Sequence, residues 1–479
     1  MEITQLEPQI IWKNFAKLNA VPRPSKKEEK VIEFIQNFGK QLNLETLTDE
    51  TGNVLIKKPA TAGYENKKTI VLQAHLDMVC QKNNDVNFDF DTQGIQMYVD
   101  GDWVKAKGTT LGADNGLGVA AIMSILESKD IPHPSIEALF TIDEETGMTG
   151  AFGLKPDFLS GEILLNLDTE EDDEIDIGCA GGVDVTASQI FPTENFNSKV
   201  LKINIKGLKG GHSGMDIHKG LGNANKLLAR FLFLGLSNDI QLVSIDGGGL
   251  RNAIPREANA VFGVKNQEEF LQLFNELKRE ILAEFSSVEP DLNISVEEIS
   301  VEAKAISVEN SAKIIRALHS AHNGVYRMSP EVENLVEASN NVARVVLKDG
   351  DFKALNLTRS SVESTKFQVA NQLKATFELA GIPVEFTGSY PGWKPNPEAQ
   401  IIKVMEDLYQ KNFGEKPHIV ACHAGLECGI IGANYPKMEM VSFGPTIKGA
   451  HSPDERASIS STQKFWKFLL EILKNISDK

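Results

Sequence analysis

Along the chain, apolar residues recur at helical spacing at Ile11, Phe15 and Leu18 and again at Val31, Phe34, Ile35 and Phe38, with Pro22, Pro24 and Ser25 between the runs. Steps of three and four keep such residues on one helix face and proline interrupts it, so two helices are predicted to open the chain. Short apolar runs at 54–56, 69–72 and 138–142 have the length of buried strands, and a helical stretch from 117 to 126 lies between the last two. Strands alternating with helices predict an α/β domain, a central mixed sheet flanked by helices.

After Gly181-Gly182 the pattern changes. A strand at 200–205, a helix at 224–233, strands at 240–245 and 258–264, a helix at 268–285 and a strand at 292–296 give the β-α-β-β-α-β order of a separable α+β unit. An echo follows: a helix at 312–321, two strands between 335 and 357, a helix at 364–379 and a strand at 384–386, so the insert reads as duplicated. Tyr390, Pro391, Gly392, Pro395 and Pro397 read as a linker, because proline continues neither a helix nor a central strand. A helix at 399–408, strands near Ile419 and at 440–443, and an end helix at 465–476 resume the α/β pattern. The expected organisation is a first domain, 1–185, completed by 397–479 and interrupted by an inserted unit, 186–396.

Composition narrows the class. With 479 residues, 41% hydrophobic and 24% charged, the chain has ordinary globular proportions, which excludes wholesale disorder and collagen-like repeats. A net charge of −17 argues against nucleic acid or an anionic membrane as the main partner. Apolar stretches such as 119–123 fall far short of the ~20 residues of a membrane-spanning helix. The amino terminus, MEITQLE, has no basic-then-apolar layout, so no secretory signal is expected. Cys80, Cys179, Cys422 and Cys428 include no CxxC pair and are expected to be free thiols in a reducing cytoplasm.

The candidate chemistry lies mostly at predicted strand ends. In Gln73-Ala74-His75-Leu76-Asp77, His75 and Asp77 are two apart and share a face if extended, so Asp77 can orient a metal-binding His75; alone, the motif also suits a plain surface. In GTTLGADNGLG, at 108–118, four glycines surround Asp114; either Asp114 or Asn115 caps the following helix, or Asp114 is a carboxylate shared by two metals. Asp143, Glu144 and Glu145 follow a strand directly; they form either a solvated loop or a buried cluster that cations must compensate. Asp168 ends another strand, and the acids from Glu170 to Asp173 read as a solvated run. His451 lies in a downstream loop. Two imidazoles and three carboxylates, His75, Asp114, Glu145, Asp168 and His451, make a mixed N and O set suited to zinc, with manganese or cobalt as alternatives, and two ions fit if one carboxylate bridges them.

The order of motifs resembles the aminoacyl-histidine dipeptidases, also called cytosol non-specific dipeptidases, a branch of the co-catalytic zinc peptidases related to aminoacylases and glutamate carboxypeptidases. The resemblance runs over nearly the whole chain, through VPRPS at 21–25, QAHLDMVCQK, GTTLGADNG, DEETGM, GGHSG at 210–214, LTRSS at 357–361, HAGLECG at 423–429 and GAHSPDER. It implies that His75 and Asp168 bind one zinc, that Glu145 and His451 bind the other, and that Asp114 bridges them and is followed by a cis peptide bond to Asn115. It further implies that Asp77 orients His75 and Glu144 is the general base.

In the inserted unit, read as a lid, the resemblance gives His212 to the carbonyl oxygen and Arg359 to the substrate carboxylate; Asn252 is a further binding candidate. His423 and Glu427, beside Cys422 and Cys428, fit no usual zinc-ribbon spacing, and their loop reads as a substrate wall with structural cysteines. His133, His218, His319, His322 and His418 have no motif context and read as structural. The expected activity is dipeptide hydrolysis, with N-acyl amino acid deacylation on the same scaffold as the alternative and a metal-free binding protein as a third reading. Small dipeptides are the expected partners, and the resemblance allows a homodimer or an enlarged lid that replaces a partner's surface.

Overall fold

The computed structural model describes residues 2–196, 200–300 and 303–479; Met1 of the amino-terminal reading lies outside them. The chain divides into two compact units: unit 1 is Met1–Gly178, Pro395–Ala421 and Leu426–Lys479, and unit 2 is Cys179–Lys394 with Cys422–Gly425. These bounds differ from 186–396 for reasons of hydrogen bonding. Strand Gly181–Ile190 is paired along its length with Asp351–Ser360, which draws the residues from 179 onward into unit 2. The Ala180 N–H donates to the carbonyls of Cys422 and Ala424, which draws in 422–425.

Unit 1 holds an eight-stranded mixed sheet in the order Glu45–Thr48, Val54–Lys58, Ile136–Thr141, Ile70–His75, Ile163–Asn166, Glu439–Ser442, Glu174–Cys179, His418–Cys422. Ile70–His75 runs parallel to both neighbours, His75 level with Thr141 and Gln73 with Asn166. Their carboxyl ends therefore lie at one edge, and the residues just beyond them, Asp77, 143–145 and Asp168, are delivered together. Every residue of Ile70–His75 and Ile136–Thr141 is buried, as expected for strands covered on both faces.

Helix Ala113–Glu127 is buried nearly throughout, and Asn14 of helix Gln9–Asn19 ties to it through Ser124 Oγ (3.1 Å) and Glu127 Oε1 (2.8 Å). Its entry needs Gly112: φ is +67°, and a Cβ there would lie 2.5 Å from Arg23 Nη2 and 2.8 Å from Met78 Sδ. The opening helices, Gln9–Asn19 and Glu29–Gln41, and the closing one, Ile459–Lys474, fall where the apolar spacing predicts them. A four-stranded sheet of Ile447–Lys448, Arg456–Ser458, Trp103–Ala106 and Met97–Asp100 was not anticipated. Nor are residues 170–173 a solvated run: they are half-buried, Asp172 accepts from Lys464 Nζ at 2.9 Å, and Glu171 pairs with Lys448.

Unit 2 is built on one large sheet, in the order Asn293–Ile299, Val200–Lys206, Ala258–Gly263, Gln241–Gly248, Val336–Lys348, Asp351–Ser360, Gly181–Ile190, Val384–Tyr390, with Gly324–Met328 beside Val336–Lys348. The duplication is visible in that order. From either outer edge inward, the strands of each half follow fourth, first, third, second. The second half takes Gly181–Ile190 as its first strand, so Gly181 and Gly182 belong to a strand that precedes the whole first half in sequence. The halves meet by antiparallel pairing from Ile245 with Leu347 to Gly248 with Arg344. Helices Ala224–Leu234, Gln267–Glu284, Val308–Ser320 and Glu363–Leu379 contribute Phe231, Phe274, Ile314 and Phe377 to one apolar core.

Candidate active site

At the strand-end edge of unit 1, Asp114 offers one carboxylate oxygen to each of two imidazoles: Oδ1 lies 3.1 Å from His75 Nε2 and Oδ2 lies 3.1 Å from His451 Nε2. His75 Nε2 is also 3.6 Å from Asp168 Oδ1, and His451 Nε2 is 3.0 Å from Glu145 Oε2. The five residues named from sequence as metal ligands are thus brought together, in two groups that share Asp114. The far side of His75 faces Asp77, whose Oδ1 is 3.3 Å from Nδ1. Asp77 is itself held by Ser25 Oγ (2.7 Å) and by the backbone N–H groups of Glu144 (3.1 Å) and Glu145 (3.3 Å). Those contacts and His75 hold the Asp77 carboxyl down to about 2 against its burial.

The reading of Asp114 as a helix cap is not what the backbone does. The first N–H groups of the helix are taken by Glu455: Leu111 and Gly112 donate to Oε2 at 2.7 and 3.0 Å, and Ala113 and Asp114 to Oε1 at 2.7 and 3.3 Å. With its N–H groups satisfied from a distant loop, the helix leaves the Asp114 side chain free for the imidazoles. The Asp114-Asn115 peptide bond is cis, and Asn115 Nδ2 donates to Asp168.

Negative charge exceeds what two imidazoles neutralise. Burial, with the charges of Asp168, Glu427 and Glu145, pushes the Glu144 carboxyl well above the ordinary range against the pull of His75. Burial likewise pushes Asp168 up to about 6, against His75 and with Asp114 and Glu145 adding to the rise. Hydrogen bonds to Asp114 and Glu145 hold His451 up at about 11. Glu145 Oε1 is buried and lacks a hydrogen-bond partner among the described residues. Ligand atoms of His75, Asp114 and Glu145 all lie within 4.8 Å of one another. Such a donor set, rich in carboxylates and with a spare buried oxygen, fits divalent cations with N and O ligands.

Behind His75, Glu427 is buried and accepts at 2.7 Å from both Gln73 Nε2 and Thr141 Oγ1. Burial pushes this carboxyl up to about 7. Glu427 therefore packs against Gln73 and Thr141 in unit 1, whereas His423 of the same motif belongs to unit 2.

In unit 2, His423 Nε2 is 2.7 Å from Ser339 Oγ, and Arg359 Nη1 donates to Tyr390 Oη at 2.9 Å. His212 Nδ1 accepts from the Met215 N–H at 3.1 Å, which leaves its Nε2 for other partners. The Ser213 N–H donates to the Asn252 carbonyl at 2.8 Å, so the Asn252 turn lies against the His212 loop. Burial, then the charges of Arg359 and His212, push His423 down to about 3. Arg359 Nε, His423 Nδ1 and Ser213 Oγ are buried without hydrogen-bond partners among the described residues. Unit 2 thus collects His212, Arg359, His423 and the Asn252 turn into one polar cluster. Arg23 and Glu455 were not singled out from sequence; the only signal was their place inside the VPRPS and GAHSPDER segments.

Residues 71–475 match the model of peptidase family M20/M25/M40. The cytosol non-specific dipeptidase of Escherichia coli is 44% identical over 483 residues, covering 100% of both chains. The crystal structure of aminoacylhistidine dipeptidase from Vibrio alginolyticus matches with a TM-score of 0.95 at 46% identity, covering 100% of this chain and 99% of that one. Aminopeptidase PepT from Bacillus cereus, at a TM-score of 0.57 and 16% identity over 98% of each chain, shares the fold. With a family model spanning most of its length and a full-length relative at this identity, the chain belongs to peptidase family M20/M25/M40 and is a peptide-bond hydrolase.

Proposed function

We propose that this chain is a cytoplasmic dinuclear metal-dependent dipeptidase that hydrolyses short, unblocked dipeptides, Xaa-His dipeptides among them. The observation that carries the reading is the Asp114 carboxylate, with one oxygen at each of two imidazoles and a further carboxylate beside each. His75 and Asp168 would hold one ion, Glu145 and His451 the other, and Asp114 both; zinc suits the set, and manganese and cobalt are alternatives. Bound there, the ions supply Lewis-acid chemistry, polarising a peptide carbonyl and making water a better nucleophile at neutral pH.

The chain's own groups do the rest. Asp77 fixes the ring of His75 by accepting at Nδ1. Glu144 takes a proton from the attacking water and delivers it to the leaving amine. Unit 2 would supply the substrate contacts: His212 with the carbonyl oxygen, Arg359 with the free carboxylate, and Asn252 and His423 along the substrate. The full-length likeness is to dipeptidases, which disfavours deacylation as the main activity.

Metal stoichiometry tests the bridge. The purified chain should take up two ions, and Asp114→Ala should lose most of both, because one carboxylate serves each. Two ions retained by Asp114→Ala, or none taken up by the parent, contradicts the proposal.

A further inference from the structure

Arg23 and Glu455 take no part in the chemistry above, yet they are among the most buried charges in unit 1, at 1% and 2% exposed. They grip the backbone of the glycine loop from opposite polarities. The Glu455 carboxylate accepts two N–H groups on each oxygen, from Leu111 and Gly112 and from Ala113 and Asp114, at 2.7–3.3 Å. Arg23 Nη2 donates to the Gly112 carbonyl at 2.6 Å. Each grip also reaches a second segment of the site. Glu455 stands four residues beyond His451, its N–H bonded to the Ser452 carbonyl. Arg23 Nη1 donates to the carbonyls of Leu76 and Asp77, both at 3.0 Å, directly after His75. The Met78 N–H in turn donates to the Arg23 carbonyl at 3.1 Å. Three chain segments far apart in sequence, carrying His75, Asp114 and His451, are thus bolted together through one loop.

We infer that Arg23 and Glu455 are positioning residues that set the separation of His75, Asp114 and His451, and with it the affinity for the ion pair; the inference rests on the dinuclear reading of the site. The chemistry of the grip is specific. A carboxylate accepts from four N–H donors, whereas glutamine presents one carbonyl oxygen and turns its NH2 toward two of them, where donor meets donor. The guanidinium is a planar fork able to serve several carbonyls at once, which a lysine ammonium does not reproduce. Positions of metal ligands held only by packing would tolerate both changes; positions held by this clamp would not.

The test is cobalt(II) binding to the full chain stripped of metal, under chelator competition, with the visible absorption bands of the loaded form reporting ligand geometry. The parent is measured first: if it takes up no cobalt, the dinuclear reading fails, an outcome distinct from failure of the clamp. Glu455→Gln, with far-UV circular dichroism like the parent's, should bind cobalt at least tenfold more weakly and with altered bands. At saturating metal its kcat for alanyl-histidine should fall while KM stays within about twofold of the parent's, since no substrate contact is removed. A folded Glu455→Gln with parental affinity and spectrum overturns the inference. If that variant does not fold without metal, Arg23→Lys decides: it should lose affinity in the same direction by at least threefold, and parental binding and bands in it overturn the clamp.

Discussion

At the scale of single residues, what Asp114 can do depends on what Glu455 does for it. A carboxylate at a helix start ordinarily turns back onto the backbone, but here four N–H groups already have an acceptor, so Asp114 faces outward to His75 and His451. Glu144 shows the other side of the same economy, a carboxyl kept basic by burial and by like charges around it. Glu144→Gln should retain both ions and lose about 10²–10⁴-fold in kcat, the usual cost of removing a general base. Turnover within tenfold of the parent, at equal metal content, would remove Glu144 from that role. The side chains with chemistry of their own were legible in the sequence, because His, Asp and Glu beside apolar runs and glycines are conspicuous. Their supports were not. Glu455 meets its backbone partners across more than 340 residues of chain, and no local pattern encodes such a contact.

At the scale of elements, periodicity found the long helices and the buried parallel strands, because both carry continuous apolar signals. It passed over the hairpin Met97–Asp100 and Trp103–Ala106, whose four-residue strands alternate too briefly to register. It also read Gly181-Gly182 as a break, although Val183, Val185 and Ala187 behind it are the buried positions of a strand. The edge region of the unit 1 sheet carries a pH dependence of its own. Asp176, in strand Glu174–Cys179, accepts from Thr169 Oγ1 at 3.0 Å, and burial pushes its carboxyl up to about 7. Since the unfolded chain releases this proton near pH 4, the folded state holds a proton that the unfolded state lacks between about pH 4 and 7. Stability from this group therefore falls as pH rises through that window and is level above it. Asp176→Asn, which cannot ionise, should gain on the parent by on the order of 1–3 kcal/mol between pH 4.5 and 8 in urea unfolding. An unchanged difference at the two pH values would show that Asp176 is ionised in the folded chain.

At the scale of the whole molecule, the two units divide the work of folding. Each has its own sheet, and the duplicated half-sheets of unit 2 cover each other's inner edge, Gln241–Gly248 against Val336–Lys348, within a single chain. The duplication was legible as an echo of helices and strands, but its first strand was not, because the chain lays it down before the other half. The proposed division of chemistry, metal in unit 1 and substrate contacts in unit 2, predicts separable defects. Arg359→Ala should mainly raise KM for dipeptides with a free carboxylate and much less for amidated ones, while His212→Ala should depress kcat, both at parental metal content. Parental kinetics in both variants would take these residues out of the site. Whether the chain hydrolyses dipeptides at a two-metal centre is decided by supplying the purified protein with zinc, manganese or cobalt and following release of free histidine from alanyl-histidine and from N-acetyl-histidine. Metal-dependent release from the dipeptide, abolished by a chelator and restored by adding the ion back, is the expected outcome; release from the acylated compound alone, or from neither with any of the three metals, would exclude a metal-dependent dipeptidase.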